Sequence, residues 1–289
     1  MTRFSILTEN IICCESGLLY DSLVDARIGA KTINVAIIAS EDPFYIYQII
    51  EKLIEISPND IKFVSIVLLP PFPKKLSMYQ YIVNRIQIYG FCQLLKVLSI
   101  YFSRKMLDTI FGRTYSISRV AKKNGIEIIQ TDSLKHQWFL NKLKKFSLDT
   151  IISISSTLIF RDALLSLPRL GCINVHPGKL PKYRGVSPGF WTLLNQEKEC
   201  AVTVHVMNEK YDDGDILQQD VFDLTGIDTI HKMHLKVIQI APRAILNSLV
   251  ALDQGKKSTI KNDSSQATYF SHPTKEDGKK LRALGIKFI

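Results

Sequence analysis

Four short runs of almost uninterrupted apolar, β-branched residues constrain this chain more than any other feature. They occupy positions 33–40, 61–69, 126–130 and 150–155. Strands that are apolar on both faces belong to parallel sheets covered on both sides. The first run is followed by Glu-Asp-Pro-Phe and then by Ile46, Ile49, Ile50 and Leu53, the spacing of one helical face. Strand, loop and helix in this alternation predict a Rossmann-like α/β fold, an open and mainly parallel sheet with helices on both faces. No Gly-x-Gly-x-x-Gly follows the first strand, which removes the main sign of a dinucleotide site. A chain of 289 residues, 46% hydrophobic, buries a full core and is not generally disordered. The division it suggests is an extension over 1–32, a catalytic domain over 33–255, and a short tail or cap over 256–289. Residues 71–115 form a basic amphipathic insertion within the domain.

Chemistry enters in Gly171-Cys-Ile-Asn-Val-His-Pro-Gly and in Tyr211-Asp-Asp-Gly-Asp. Asn174 and His176 stand two apart at the end of an apolar run, so in an extended strand both side chains leave on one side. Pro177 and Gly178 end the ladder where the polar groups are presented. An amide beside an imidazole can stabilise an oxyanion and pass a proton, the needs of acyl transfer. Asp212 follows the alternating strand 201–207, on a turn from which a carboxylate can orient and charge His176. A lone Asn-x-His is usually a satisfied structural pair, and Asp-Asp-Gly-Asp alone is usually a turn. The loop Leu-Pro-Lys-Tyr-Arg-Gly at 180–185 is too specific for a simple connection, and it weights the functional reading.

Residues 149–217, above all Leu167-Pro-Arg-Leu-Gly-Cys-Ile-Asn-Val-His176 and Leu180-Pro-x-Tyr-Arg-Gly185, resemble the formyltransferases that use 10-formyltetrahydrofolate. The likeness is greatest to the methionyl-tRNA and sugar N-formyltransferase branches, and it returns weakly at Gln266-Ala-Thr-Tyr269. The resemblance implies a catalytic triad of Asn174, His176 and Asp212, with Asp212 preferred to Asp213 because the acid stands two residues before Gly214. It implies that Ser156, Thr157, Leu158 and Ile159 hold the pterin largely through backbone groups, with Tyr211 nearby. It also implies that Tyr183 and Arg184 frame the acceptor entrance. His205 reads as structural, and Trp191 as a packing residue on a helix beginning at Pro188. The co-substrate implied is 10-formyltetrahydrofolate, with no metal.

The five cysteines make no disulfide framework and lack the paired spacing of a zinc site; Cys92 and Cys172 read as buried thiols. No apolar stretch reads as a membrane span, and Glu9 and Asn10 interrupt any signal-peptide core, so a cytoplasmic protein is expected. The formal charge of +10 is concentrated: residues 71–145 hold 14 Lys and Arg against three acids. Within 78–113 these cations alternate with aromatic and aliphatic side chains. The region suits tRNA phosphates, an anionic nucleotide-sugar or an anionic membrane; equally it suits a core-facing helix pair with a solvated basic face.

The methionyl-tRNA branch has a C-terminal barrel, and the residues after a helix expected at 229–252 are too few for one. The acceptor expected is therefore a primary amine on a nucleotide-linked amino sugar, with tRNA disfavoured. The alternatives are methionyl-tRNA or glycinamide ribonucleotide formylation, or a silent folate-binding or membrane-associated protein.

Overall fold

The computed structural model describes residues 32–70, 78–156, 158–256 and 260–289. The extension assigned to residues 1–32 lies outside these, apart from Thr32, as does Thr157. The sheet contains β1 (Ile33–Ser40), β2 (Ile61–Leu69), β3 (Glu127–Gln130), β4 (Thr150–Ile154), β5 (Cys172–His176), β7 (Glu199–Val206) and β8 (Ile216–Asp223). A separate parallel pair joins β6 (Arg184–Gly185) to β9 (Tyr269–Phe270). The helices are α1 (Ile46–Ile56), α2 (Met78–Tyr89), α3 (Phe91–Phe111), α4 (Ile117–Lys123), α5 (Gln137–Lys144), α6 (Asp162–Leu165), α7 (Pro188–Leu194), α8 (Ile230–Asp253) and α9 (Lys275–Ala283).

The seven strands are ordered β3-β2-β1-β4-β5-β7-β8. The first five are parallel and the last two antiparallel. The four apolar runs become β1, β2, β3 and β4, four adjacent parallel strands with β3 at the sheet edge. Ala36 and Ile38 of β1, Val67 and Leu69 of β2 and Ile151 of β4 bury one sheet face against Phe139, Leu140 and Leu143 of α5. On the other side α8 lies against α1, β7 and β8. Order reverses between β1 and β4, and open α/β sheets receive ligands at the carboxyl ends of strands beside such a reversal.

One helix departs from the sequence expectation. On length and composition α8 is apolar enough to cross a membrane, against the expectation that no apolar stretch reads as a span. Over half of its most apolar stretch is buried, through Met233, Val237, Ala241, Ile245 and Leu249 among others, so it serves as the central core helix here. A second correction concerns Cys92, which is exposed, whereas Cys172 is buried as expected.

The C-terminal segment returns across the domain. Ile260 bridges Ile216, Thr229 bridges Lys287, and α9 packs on α2 and α7. Gly278 makes that last contact close, because a Cβ there would strike the Ile88 backbone. Ile88, Phe190, Leu193, Met233 and Leu281 form the apolar cluster beneath it.

Candidate active site

Register brings the polar groups together. Across the antiparallel β5–β7 pair Asn174 stands opposite His205 and His176 opposite Thr203. Directly opposed residues share a sheet face, so Asn174, His176 and His205 lie on one side. Asp212 arrives from the β7–β8 connection with a φ of 49°, in the left-handed region that Asp tolerates better than most residues. Gly214 fits that connection because a Cβ would overlap the Val206 carbonyl.

All three side chains meet one carboxylate. The Asn174 Nδ2 lies 3.4 Å from Asp212 Oδ1 and donates to His205 Nε2 at 3.2 Å. His205 Nε2 is 3.4 Å from Asp212 Oδ1, and His176 Nδ1 is 3.6 Å from Asp212 Oδ2. The Gly185 N–H donates to Asp212 Oδ2 at 2.7 Å. Asn174 and His176 therefore face the same way, and Asp212 rather than Asp213 is the acid that reaches them. Burial alone would raise the Asp212 carboxyl, but His176, His205 and the Gly185 N–H overrule it and hold it well below its ordinary range. His176 runs opposite to the charged imidazole expected from the sequence. Its burial outweighs the attraction of Asp212 and lowers its proton affinity, while Nε2–H donates to the Tyr183 carbonyl at 2.8 Å. The resting site is an ionised carboxylate beside a neutral imidazole, with the Asn174 amide turned to that carboxylate and to His205. Such a set can take a proton from an attacking amine and donate to a forming oxyanion.

The substrate roles suggested for Tyr183 and Arg184 do not fit what their side chains touch. Tyr183 is buried, its ring stacked on Phe270 at 5.3 Å and its hydroxyl donating to Glu197 at 2.6 Å. The buried Arg184 guanidinium pairs with Asp213 and donates to Asn262 Oδ1 at 2.7 Å. Neither polar end faces an open entrance. Both are spent on fixing the loop 183–185 beneath the acid. The tail completes that work: Thr268 Oγ1 accepts from the Tyr183 N–H, and Asn262 Nδ2 donates to the carbonyls of Asp212 and Gly214 at 2.9 and 2.8 Å. Sequence reading missed Asn262 altogether and undervalued His205. The only available signal was the weak tail motif at 266–269, which the β6–β9 pairing now accounts for.

In the loop after β4, Ser156 Oγ donates to the Leu158 carbonyl at 3.0 Å and Ile159 is exposed. Tyr211 is exposed and lies edge-on to Tyr269 at 6.1 Å. Trp191 packs as expected, stacked on Phe270 at 4.8 Å. Among the described residues no group of three or more His, Cys, Asp or Glu is arranged to hold a metal ion.

A cavity of about 1050 Å³ opens beside β1, and Asn174, His176 and Asp212 do not line it. It reaches Pro177, the neighbour of His176, and is walled by Tyr45, Tyr89, Leu98, Tyr101, Phe190 and Met233. Among the described residues Arg85 and Lys105 are the Lys and Arg along it. At its floor Asp42 Oδ1 accepts the N–H groups of Phe44, Tyr45 and Ile46. The start of α1, where such folds commonly seat a phosphate, is thereby filled by the chain's own carboxylate.

The sequence profile of the formyl transferase family matches residues 111–249, a stretch that holds Asn174, His176, His205 and Asp212. Over this stretch, just under half of the chain, it is similar to the formyl transferase family. It is 32% identical over 163 residues to the methionyl-tRNA formyltransferase of Caldanaerobacter subterraneus subsp. tengcongensis, covering 56% of this chain and 53% of that protein. The chain thus spans about half the length of the curated relatives it matches. In fold it is similar to a sugar N-formyltransferase from Shewanella, with a TM-score of 0.54, 18% identity and 86% of each chain covered. It is also similar to phosphoribosylglycinamide formyltransferase from Anaplasma phagocytophilum, with a TM-score of 0.56, 13% identity, and 84% of this chain and 100% of that one covered.

The buried imidazoles carry a consequence for stability. Burial lowers the proton affinity of His176 and His234 in the folded chain. The unfolded chain, with imidazoles near 6.5, then binds protons that the folded one refuses. Stability is full above about 6.5 and falls as the pH descends toward the folded values. Urea midpoints are expected to drop between about pH 7 and pH 5, and His234→Gln should flatten that slope; a midpoint independent of pH across the window would contradict the assignment.

Proposed function

We propose that this chain transfers a formyl group from 10-formyltetrahydrofolate to a primary amine. The observation that carries the reading is the convergence of Asn174, His176 and His205 on the single Asp212 carboxylate at the end of β5. In the reaction a neutral amine attacks the formyl carbon, and the carbonyl oxygen becomes an oxyanion facing the Asn174 N–H. Asp212, alone or with His176, accepts the proton lost by the amine. The folate N10–carbon bond then breaks, N10 regains a proton, and the products are a formamide and tetrahydrofolate. The loop of Ser156, Leu158 and Ile159 is proposed to seat the pterin, with Tyr211 at its edge.

For the acceptor we favour an amino sugar on a nucleotide carrier. The aromatic walls of the cavity next to Pro177 suit a stacked base, and Arg85 and Lys105 suit its phosphates. Asp42, filling the start of α1, argues against a phosphate seated there. The second reading is methionyl-tRNA, favoured by the names of the curated relatives. The protein is also proposed to work in the cytoplasm. Incubation with 10-formyltetrahydrofolate and, separately, a panel of nucleotide-linked amino sugars, methionyl-tRNA and glycinamide ribonucleotide tests these readings. Mass gain by one formyl group on a sugar alone is the expected result. Gain on the tRNA would replace the acceptor, and gain on none, with tetrahydrofolate unreleased, would remove the activity.

A further inference from the structure

The helix α3 has apolar side chains on two adjoining faces and no buried residue. Its inner face, with Leu94, Leu98 and Tyr101, walls the cavity. Its outer face presents Phe91, Leu95, Ser99, Phe102, Met106 and Ile110, at intervals of four, four, three, four and four residues, with Phe102 at the edge where the stripe meets the mouth of the cavity. That spacing aligns them in one stripe about 28 Å long. Phe102 and Ile110 are 63% and 67% exposed, and Phe91, Leu95 and Met106 are exposed as well. Tyr79 of α2 is exposed too, whereas Ile82 of α2 lines the cavity. The stripe is held in place from behind. The Ile289 N–H donates to Gln93 Oε1 at 3.0 Å, and Arg104 donates to the carbonyls of Pro43 and Phe44.

Charge decides what such a stripe meets. Exposed Lys96 flanks it on one side and exposed Lys105 on the side it shares with the cavity, and residues 71–145 hold most of the chain's positive excess. The helix has one acid, Asp108, and it is turned inward to the Tyr115 N–H and the Arg119 guanidinium. A second copy of the chain would bring the same lysines into one interface with no acid on the stripe to oppose them. An anionic bilayer offers apolar depth for the stripe and phosphate charge for its flanks, the arrangement of helices that lie in a membrane interface.

We propose that the outer face of α3 docks this protein on the surface of an anionic lipid bilayer. The full chain is to be sedimented with vesicles of phosphatidylcholine, with and without phosphatidylglycerol, over a salt series. Binding is expected with the anionic vesicles, weak with neutral ones, and falling as salt shrinks the screening length from about 10 Å at 0.1 M to 3 Å at 1 M. Lys96→Gln with Lys105→Gln should weaken binding by about fivefold for each lysine. Leu95→Ser, Phe102→Ser and Ile110→Ser together should weaken it at least about tenfold with thermal stability unchanged, because these side chains are already in water. Binding that ignores lipid charge, or is absent, overturns the proposal. So does full binding by the serine variant, which would assign attachment to another basic surface. Self-association that disappears in the serine variant would make the stripe a contact between copies instead.

Discussion

His176→Ala and Asp212→Asn are each expected to slow formyl transfer by roughly a thousandfold or more, the equivalent of ~4 kcal/mol of transition-state stabilisation. The two changes act at different points of one arrangement. Asn at 212 keeps an oxygen for the Gly185 N–H but removes the charge that takes the amine proton. Ala at 176 removes the ring next to that charge, and with it the Nε2–H bond to the Tyr183 carbonyl. His176→Gln is the control for packing, since its amide can donate to that carbonyl without accepting a proton. Single-turnover rates, tetrahydrofolate affinity and thermal midpoints are to be measured on the same preparations. The expected pattern is rates that collapse with affinity and midpoint nearly kept. Either residue leaves the catalytic assignment if its folded variant works within tenfold of the parent.

What was readable in the chain follows the range over which the physics acts. The runs at 33–40 and 61–69 coincide with β1 and β2 because an apolar, β-branched segment buried on both faces has no competing conformation of comparable burial. Asn174 and His176 were legible for the same local reason, since strand alternation alone puts them on one side. The Asp212 turn required only its own sequence. By contrast Asn262 reaches Asp212 across 50 residues, and nothing in the neighbourhood of either predicts the pairing. Arg184 misled because an arginine in a loop next to a site is chemically suited to an anionic substrate. Only the tertiary fold reveals that Asp213 and Asn262 have taken its fork. The helix α3 was hard to read in another way: apolar residues on both faces dilute its periodicity, so sequence alone could not separate a buried helix from one with a wet apolar stripe. The charge of His176 failed for an electrostatic reason. Its partner was identified, but the cost of enclosing the ring, which the sequence does not display, exceeds the attraction of that partner.

The reassignment of Arg184 yields the largest expected effect on stability. Its guanidinium binds Asp213 and Asn262, both of which fix the turn that carries Asp212, and its side chain is almost fully enclosed. Removing one member of such a pair leaves Asp213 with only the Ser264 hydroxyl and the more distant Lys210, and Asn262 Oδ1 without its donor, so Arg184→Ala is expected to cost about 3 kcal/mol of folding stability. Because Asp213 is one of the two groups left behind, the double variant Arg184→Ala with Asp213→Ala should lose clearly less than the two single losses added together. Chemical denaturation of the four proteins gives that coupling. Transfer by Arg184→Ala should fall through kcat, as the Asp212 turn loosens, with KM for a soluble acceptor little changed. A variant of parental stability with a raised KM would instead return Arg184 to the acceptor entrance, and would mean that the enclosed fork opens when the acceptor arrives.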